Sequence, residues 1–164
     1  GCRVVGSVGS DDKAQWLLDE CKVDEVINYK TCGNLTEALS KAAPDGVDVY
    51  FENVGGSHLE AALNQMNHFG RIAACGMIST YNNSDPAPGP NNLMLIVGKK
   101  VRINGFIVFD HNDMRAKFLS DMESWVSNGE IIVRETVVEG IENSVDAFLA
   151  LFSGDNFGKM IVKL

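Results

Sequence analysis

Short, mostly apolar runs alternate with amphipathic stretches along nearly the whole chain. Residues 3–6, 25–29, 47–52 and 71–75 are strand-like runs, and the segments between them carry apolar residues at helical spacing. After the turn Ser7-Val-Gly-Ser10, the acids Asp11 and Asp12 open a helix, because negative charge in a first turn favours the helix dipole. Ala14, Leu17, Leu18 and Cys21 then fall on one helical face, a stripe suited to a sheet. A second helix over residues 35–43 is stopped by Pro44-Asp-Gly46, and a third over 57–66 is closed by His68-Phe-Gly70. Further on, the pattern predicts a short helix over 93–97 and a strand over 101–109 that alternates and then becomes continuously apolar. A longer helix over 114–126 follows, with Phe118, Met122 and Trp125 on one side as core candidates and Asn128-Gly129 as its stop. Residues 135–139 and 159–164 read as edge strands around a helix over 141–151. Repeated strand–helix alternation predicts an α/β fold: an open, right-handed parallel sheet with helices on both faces.

Within that pattern, two strand ends carry the candidate chemistry. Val49-Tyr-Phe-Glu-Asn-Val-Gly-Gly56 and Gly70-Arg-Ile-Ala-Ala-Cys-Gly-Met-Ile-Ser-Thr-Tyr-Asn82 are apolar runs that end in small and amide residues. In a covered parallel sheet, ligands are held at the carboxyl tips of the strands, so two such tips in succession predict a nucleotide crevice. Asn53 and Ser79 can hydrogen-bond there, while Gly55, Gly56 and Gly76 allow a flat ring system to approach the backbone; glycines after strands also serve as plain turn residues. Residues 81–92 hold Pro86, Pro88 and Pro90 and predict a surface loop beside the crevice, either a lid or solvent-exposed slack.

Composition narrows the class. A chain of 164 residues with 45% hydrophobic and 22% charged residues is long enough for one globular domain with a core. The net charge of -8 repels phosphate backbones and argues against a nucleic-acid partner. No apolar run approaches the roughly 20 residues that cross a bilayer, and Gly-Cys-Arg-Val-Val has none of the regions of a signal peptide, so no membrane role is expected and the cytoplasm is the expected location. Cys2, Cys21, Cys32 and Cys75 form no Cys-x-x-Cys pair, and His58, His68 and His111 lack metal-ligand spacing, so no metal site is expected. Asn34-Leu-Thr36 and Asn82-Asn-Ser84 fit the glycosylation tripeptide, which recurs by chance. No Gly-x-Gly-x-x-Gly turn occurs, and Gly154-Asp-Asn-Phe-Gly-Lys159 is not a phosphate loop, its spacing being short and Met160 replacing the metal-binding hydroxyl.

Five segments in order, Gly6-Ser-Val-Gly-Ser-Asp-Asp-Lys13, Phe51-Glu-Asn-Val-Gly-Gly56, Cys75-Gly-Met-Ile-Ser-Thr-Tyr-Asn82, Gly105-Phe-Ile-Val108 and Gly154-Asp-Asn-Phe-Gly-Lys159, resemble the zinc-independent medium-chain reductases. The nearest branch is the group of prostaglandin reductases (leukotriene B4 12-hydroxydehydrogenases), plant alkenal double-bond reductases and curcumin reductase. The resemblance implies NADPH-dependent reduction of the carbon–carbon double bond of an α,β-unsaturated aldehyde or ketone, with a small enone or enal as substrate and NADP(H) as cofactor. It further implies that Lys13 and Tyr29 hold the adenosine 2′-phosphate and that Asn53 contacts the cofactor ribose region. Cys75, Gly76, Ser79 and Tyr81 would line the pyrophosphate and nicotinamide ribose, backbone at Phe106, Ile107 and Val108 would fix the carboxamide, and Asn156 would close the far side. The residues add a reason of their own: Lys13 lies one helical turn past a strand tip, and Ser7 stands where an NAD enzyme usually places an acid for the ribose 2′-hydroxyl. Tyr81 is the catalytic candidate, since a phenol beside the nicotinamide ribose can stabilise an enolate oxygen or relay a proton; otherwise it orders the ribose.

The chain departs from that family pattern at its start. It begins at what would be the second strand of the nucleotide domain, so residues 1–164 are expected to be a partial NADP(H)-binding Rossmann domain, truncated, with the first strand, the glycine-rich turn and the N-terminal substrate domain absent. In strand order 3-2-1-4-5-6, loss of strand one leaves two unpaired edges in the sheet centre, which a stable piece must fill or close. Such a piece of a longer reductase is expected to bind NADPH weakly and to turn nothing over. A quinone oxidoreductase of the same superfamily and a non-catalytic NADPH-binding or structural module are the competing readings. A homodimer through strand edges is expected, with the apolar stretch 105–109 contributing.

Overall fold

The computed structural model describes residues 1–164. The elements are β1 (Val5–Val8), α1 (Asp11–Asp19), β2 (Glu25–Asn28), α2 (Leu35–Ala42), β3 (Val47–Glu52), α3 (Gly56–Gln65), β4 (Met66–Ala74), α4 (Met94–Lys99), β5 (Arg102–Gly105), α5 (Arg115–Ser127), β6 (Glu135–Glu139), α6 (Ser144–Ser153) and β7 (Lys159–Lys163). Local chemistry sets the helix starts. The Ser10 hydroxyl accepts the Lys13 N–H to cap α1, and Asn34 accepts the Glu37 N–H to cap α2. Helix α3 starts instead from Gly55 at φ 76°, a left-handed conformation that suits glycine.

All strand pairs are parallel, as the alternation predicted, but they form three separate sheets: β1 with β2, β3-β4-β5, and β6 with β7. Between the free edges of β1 and β3 lies a cavity of about 550 Å³, lined by Val5, Gly6 and Ser7 on one side and Val47, Val49 and Tyr50 on the other. The unpaired edges expected in the sheet centre are thus present, and the gap is neither filled nor closed. Leu35, Leu39 and Ala43 from the α2 segment, with Ala61 and Ala62 of α3, lie along it. The order β2-β1-gap-β3-β4-β5 is that of a Rossmann-like sheet lacking one central strand.

The core sits on the β3-β4-β5 side, where Leu59, Leu63, Met66, Ile72 and Val101 are buried together and Val47, Tyr50, Leu95 and Ile96 pack against them. Elsewhere the chain is open: 14 of 164 residues are buried, which leaves many large apolar side chains without cover. The stripe expected to make α5 a core helix is one of them. Phe118 and Trp125 are exposed and α5 buries no residue, because its main packing neighbour is the 3-10 turn that precedes it rather than a sheet. The predicted strand over 101–109 stops at Gly105. Its partner β4 ends at Ala74, Phe106 N–H makes the last bond to Ala74 C=O, and the chain then turns into a 3-10 segment, Val108–Met114.

Strands β6 and β7 are not edges of the main sheet, as the pattern had suggested, but a parallel pair of their own connected through α6. This second unit meets α1 through an aromatic contact and through Lys13, whose Nζ donates to the Gly154 carbonyl. Phe157 meets Trp16 of α1 edge-on at 5.6 Å between ring centroids, and the Arg134 guanidinium lies over the Phe157 ring, 3.7 Å from its centroid.

Candidate functional site

The polar strand ends come together along the carboxyl edge of the parallel strands in two groups. The first lies at the β1–α1 turn. Lys13, in the first turn of α1, donates from Nζ to the Gly154 carbonyl at 2.6 Å, which ties α1 to the left-handed glycine ending α6. Tyr29 follows β2, and its phenol lies against the turn so closely that a Cβ on Gly9 would fall 2.8 Å from Tyr29 Oη. Asn156 belongs to the same neighbourhood through the 154–158 turn, where its amide donates to the Gly158 carbonyl at 2.7 Å. The structure therefore brings Lys13, Tyr29 and the Asn156 turn to the same end of the fold.

The second group is built from the tips of β3 and β4. Cys75 and Gly76 N–H both donate to the Glu52 carbonyl, Ile78 N–H donates to Asn53 C=O, and Ser79 binds Val54 C=O through both its N–H and its hydroxyl, the latter at 2.6 Å. These bonds clamp a 3-10 turn, Ile78–Thr80, onto the 53–56 loop. Tyr81 folds back over this turn, and its phenol oxygen accepts the Met77 N–H at 3.1 Å. Gly76 is the residue that permits this approach, since a Cβ there would come 2.9 Å from Tyr81 Oη and 3.9 Å from Asn53 Oδ1. The Tyr81 ring remains 62% exposed, so it packs on the turn while one face stays open to a ligand. Phe106 stands at the next strand tip with its ring edge-on to Phe51, while Ile107 and Val108 are exposed.

Three residues that the sequence reading did not single out hold the two groups in place. Glu52 is fully buried, and its Oε1 accepts from Val54 N–H at 2.5 Å, Gly55 N–H at 2.8 Å and Tyr50 Oη at 3.2 Å; its Oε2 has no partner. Burial first, and then the Glu52 charge and hydrogen bond, push the Tyr50 phenol well above its ordinary range, so Tyr50 remains a donor. His58 Nε2 shares a 3.0 Å hydrogen bond with Ser7 Oγ, and the Tyr29 ring meets the imidazole edge-on at 5.1 Å. Burial lowers the His58 pKa, opposed by Glu52, so the ring is neutral near pH 7. A signal for Glu52 exists in the sequence: an acid that ends an otherwise apolar strand and precedes Asn-Val-Gly-Gly needs internal donors. His58 has no such signal, because its partner is 51 residues away.

The geometry suits a long, two-ended anionic ligand. A lysine ammonium and a tyrosine hydroxyl stand at one end; at the other are an exposed phenol, an exposed amide and glycine-lined backbone with left-handed Gly55 and Gly56. No group of three or more His, Cys, Asp or Glu side chains converges as metal ligands.

Comparison with known proteins bears on this arrangement. A family model described as zinc-binding dehydrogenase matches residues 1–124. Prostaglandin reductase 1 of Bos taurus is 48% identical over 99% of this chain and 50% of its own length. The NADP(+)-dependent 2-alkenal reductase of Nicotiana tabacum is 43% identical over 99% of the chain and 47% of its own. Among solved structures, that of CurA in complex with NADPH from Vibrio vulnificus superposes with a TM-score of 0.91 at 39% identity, over 99% of this chain and 50% of that one. The chain spans about half the length of the curated relatives it matches.

Proposed function

The chain belongs to the zinc-binding dehydrogenase family, and from that premise we propose that it forms part of an NADPH-dependent oxidoreductase that reduces the C=C bond of α,β-unsaturated aldehydes or ketones. The observation that carries the reading is the Tyr81 phenol held over Gly76 at the β4 tip, beside Asn53. Relatives named as a prostaglandin reductase, a 2-alkenal reductase and a pulegone reductase support the same substrate class. The zinc of the family description does not fit these residues, which present no converging ligand set.

NADPH fits better. Lys13 Nζ and Tyr29 Oη are the groups that would take the adenosine 2′-phosphate, and Ser7 rather than an acid stands on β1. Lys13 donates one N–H to the Gly154 carbonyl, and an ammonium with three donors can keep that bond and add a phosphate. Asn53, Cys75, Gly76 and Ser79 would shape the ribose and pyrophosphate side, the backbone at Phe106, Ile107 and Val108 would face the carboxamide, and Asn156 would close the adenosine end. When bound, the cofactor supplies a hydride to the substrate β-carbon. Because Tyr81 Oη accepts a backbone N–H, its own proton is free to point outward, where it can be given to the carbonyl oxygen as negative charge develops there.

Residues 1–164 are read as a partial nucleotide domain, with the substrate domain supplied by the half that relatives have and this chain does not span. The free outer edge of β5, with Ile103 and Phe109 exposed near it, supports a homodimer through strand edges. The four unpaired thiols suit a cytoplasmic setting. Titration of the chain with NADPH and NADH by calorimetry tests the cofactor reading, which predicts a preference for NADPH that K13A removes. Equal affinity for the two cofactors in the parent chain would refute it. With a small enone and NADPH, the 164-residue chain alone should show no loss of cofactor absorbance, whereas a protein of the relatives' full length should.

A further inference from the structure

His58 touches both polar groups of the site. In the first turn of α3, its N–H donates at 3.1 Å to the carbonyl of left-handed Gly55, in the loop that Glu52 shapes. Its Nε2 is hydrogen-bonded to Ser7 Oγ on β1 at 3.0 Å. Backbone and ring are thus both tethered. The imidazole then meets the Tyr29 ring edge-on, with 5.1 Å between centroids and 76° between planes, so one residue connects the tip of β3 to the residue that follows β2.

Tyr29 needs such a neighbour. Its N–H is bonded to the Val8 carbonyl at 3.0 Å, but the residue is 42% exposed. The hydroxyl end lies on the bare backbone of Gly9, where a Cβ would fall 2.8 Å from Oη. A glycine surface admits the phenol without gripping it. The Lys30 stem shares that surface, yet it is exposed and is a flexible chain that cannot hold a ring in place. The His58 edge supplies the rigid contact, because an imidazole tethered at two points cannot follow the phenol outward. Burial, opposed by the Glu52 charge, lowers the His58 pKa and keeps the ring neutral near pH 7, so it gives this corner shape rather than charge.

We propose that His58 is the positioning residue for the 2′-phosphate end of the site, holding the Tyr29 phenol against Gly9 so that it and Lys13 together take the phosphate. The proposal rests on the NADPH reading and adds to it a residue of α3 that the cofactor need not touch. A hydroxyl already held in place binds the phosphate without first losing ring freedom, so His58 acts on affinity for the 2′-phosphate and not on the rest of the nucleotide.

The probes are adenosine 2′,5′-bisphosphate and adenosine 5′-monophosphate, which differ only in the 2′-phosphate, titrated into the 164-residue chain and followed by NMR chemical shifts. The parent should bind the bisphosphate more tightly. In His58→Ala that preference should fall by about 3- to 10-fold, the worth of an edge-on ring contact, with monophosphate affinity unchanged to within about twofold. His58→Phe keeps a planar ring at that edge without the Ser7 bond, and should restore the preference to within about twofold of the parent. Tyr29→Phe should lower the preference in the parent but leave it nearly unchanged in a His58→Ala background, where the hydroxyl is no longer held.

Equal losses for the two probes in His58→Ala would reduce the residue to a support of the fold and overturn the proposal. So would a phenylalanine variant no better than alanine, or additive effects of the His58 and Tyr29 substitutions. A parent preference that Lys13→Ala abolishes and His58→Ala leaves intact sinks the proposal alone. Equal binding of both probes by the parent, unchanged in Lys13→Ala, sinks the NADPH reading and the proposal with it.

Discussion

Replacing Glu52 with alanine removes the acceptor that shapes the 53–56 loop, and its cost can be worked from the bonds it makes. Three donors converge on Oε1: the buried Gly55 N–H, the half-buried Val54 N–H and the Tyr50 hydroxyl. A buried donor left without a partner costs about 1–3 kcal/mol, and hydrogen bonds to a charged group fall in the upper part of that range. Gly55 incurs this in full, whereas Val54 and Tyr50 recover part of it from water, so the sum is about 2–5 kcal/mol. The opposing effect is relief of a carboxylate held away from water, which costs several kcal/mol when a charge is poorly satisfied. Here the donor loss wins, because the three donors stay behind in the same fold. Glu52→Gln should cost less than alanine, as it keeps one carbonyl acceptor, but it turns the orphan Oε2 into an amide donor with nothing to bind. Urea unfolding of parent, Gln and Ala chains measures both, with the slope of free energy on urea unchanged if only the folded state is affected. NADPH affinity should fall in the same order, since Asn53 and the Gly55-Gly56 turn move with the loop. An alanine variant within about 0.5 kcal/mol of the parent, or a glutamine variant less stable than alanine, would refute the assignment of Glu52 as the loop's internal anchor.

Lys13→Ala should weaken NADPH binding by roughly 10- to 100-fold, the worth of a charged hydrogen bond to phosphate, while leaving NADH affinity within twofold; parallel calorimetric titrations check it. Tyr81→Phe, made in a protein of the relatives' full length, should lower kcat by about 100-fold or more with KM for the enone little changed, and a loss confined to KM would reduce Tyr81 to a packing residue. His58 gives the chain a pH dependence with a definite sign. Its folded pKa lies below the ordinary 6.5, so below that pH the unfolded chain binds more protons and stability declines as pH falls. Urea midpoints measured between pH 5 and 7.5 should therefore rise with pH, and His58→Phe should flatten that rise; a parent profile that is flat or falls with increasing pH would contradict it.

The parts of this molecule legible in its sequence are those set by neighbours along the chain. The start of α1 at Asp11 after the Ser7–Ser10 turn, the end of α2 just before Pro44-Asp-Gly46, and the strand tips ending at Asn53 and Gly76 depend on contacts within a few residues. What the pattern missed depends on partners far away. The Phe118–Trp125 stripe of α5 has the spacing of a core helix, and spacing alone cannot say whether a surface exists to cover it. The run 101–109 has the composition of a strand throughout, but a strand extends only while its partner does, and β4 ends opposite Gly105. The same reasoning explains the clustering of exposed apolar residues. Val145, Phe148, Leu149 and Phe152 recur at i, i+3, i+4 and i+7 on α6 and are all more than half exposed, the pattern of a face built to be buried. Helix α6 belongs to the β6–β7 unit, which pairs with no other strand here and lies beyond the residues 1–124 of the family match. The gap between β1 and β3, the bare face of α6 and the exposed side of α5 are thus three instances of one condition: surfaces with the apolar spacing or unpaired edges of buried faces that no element of residues 1–164 covers.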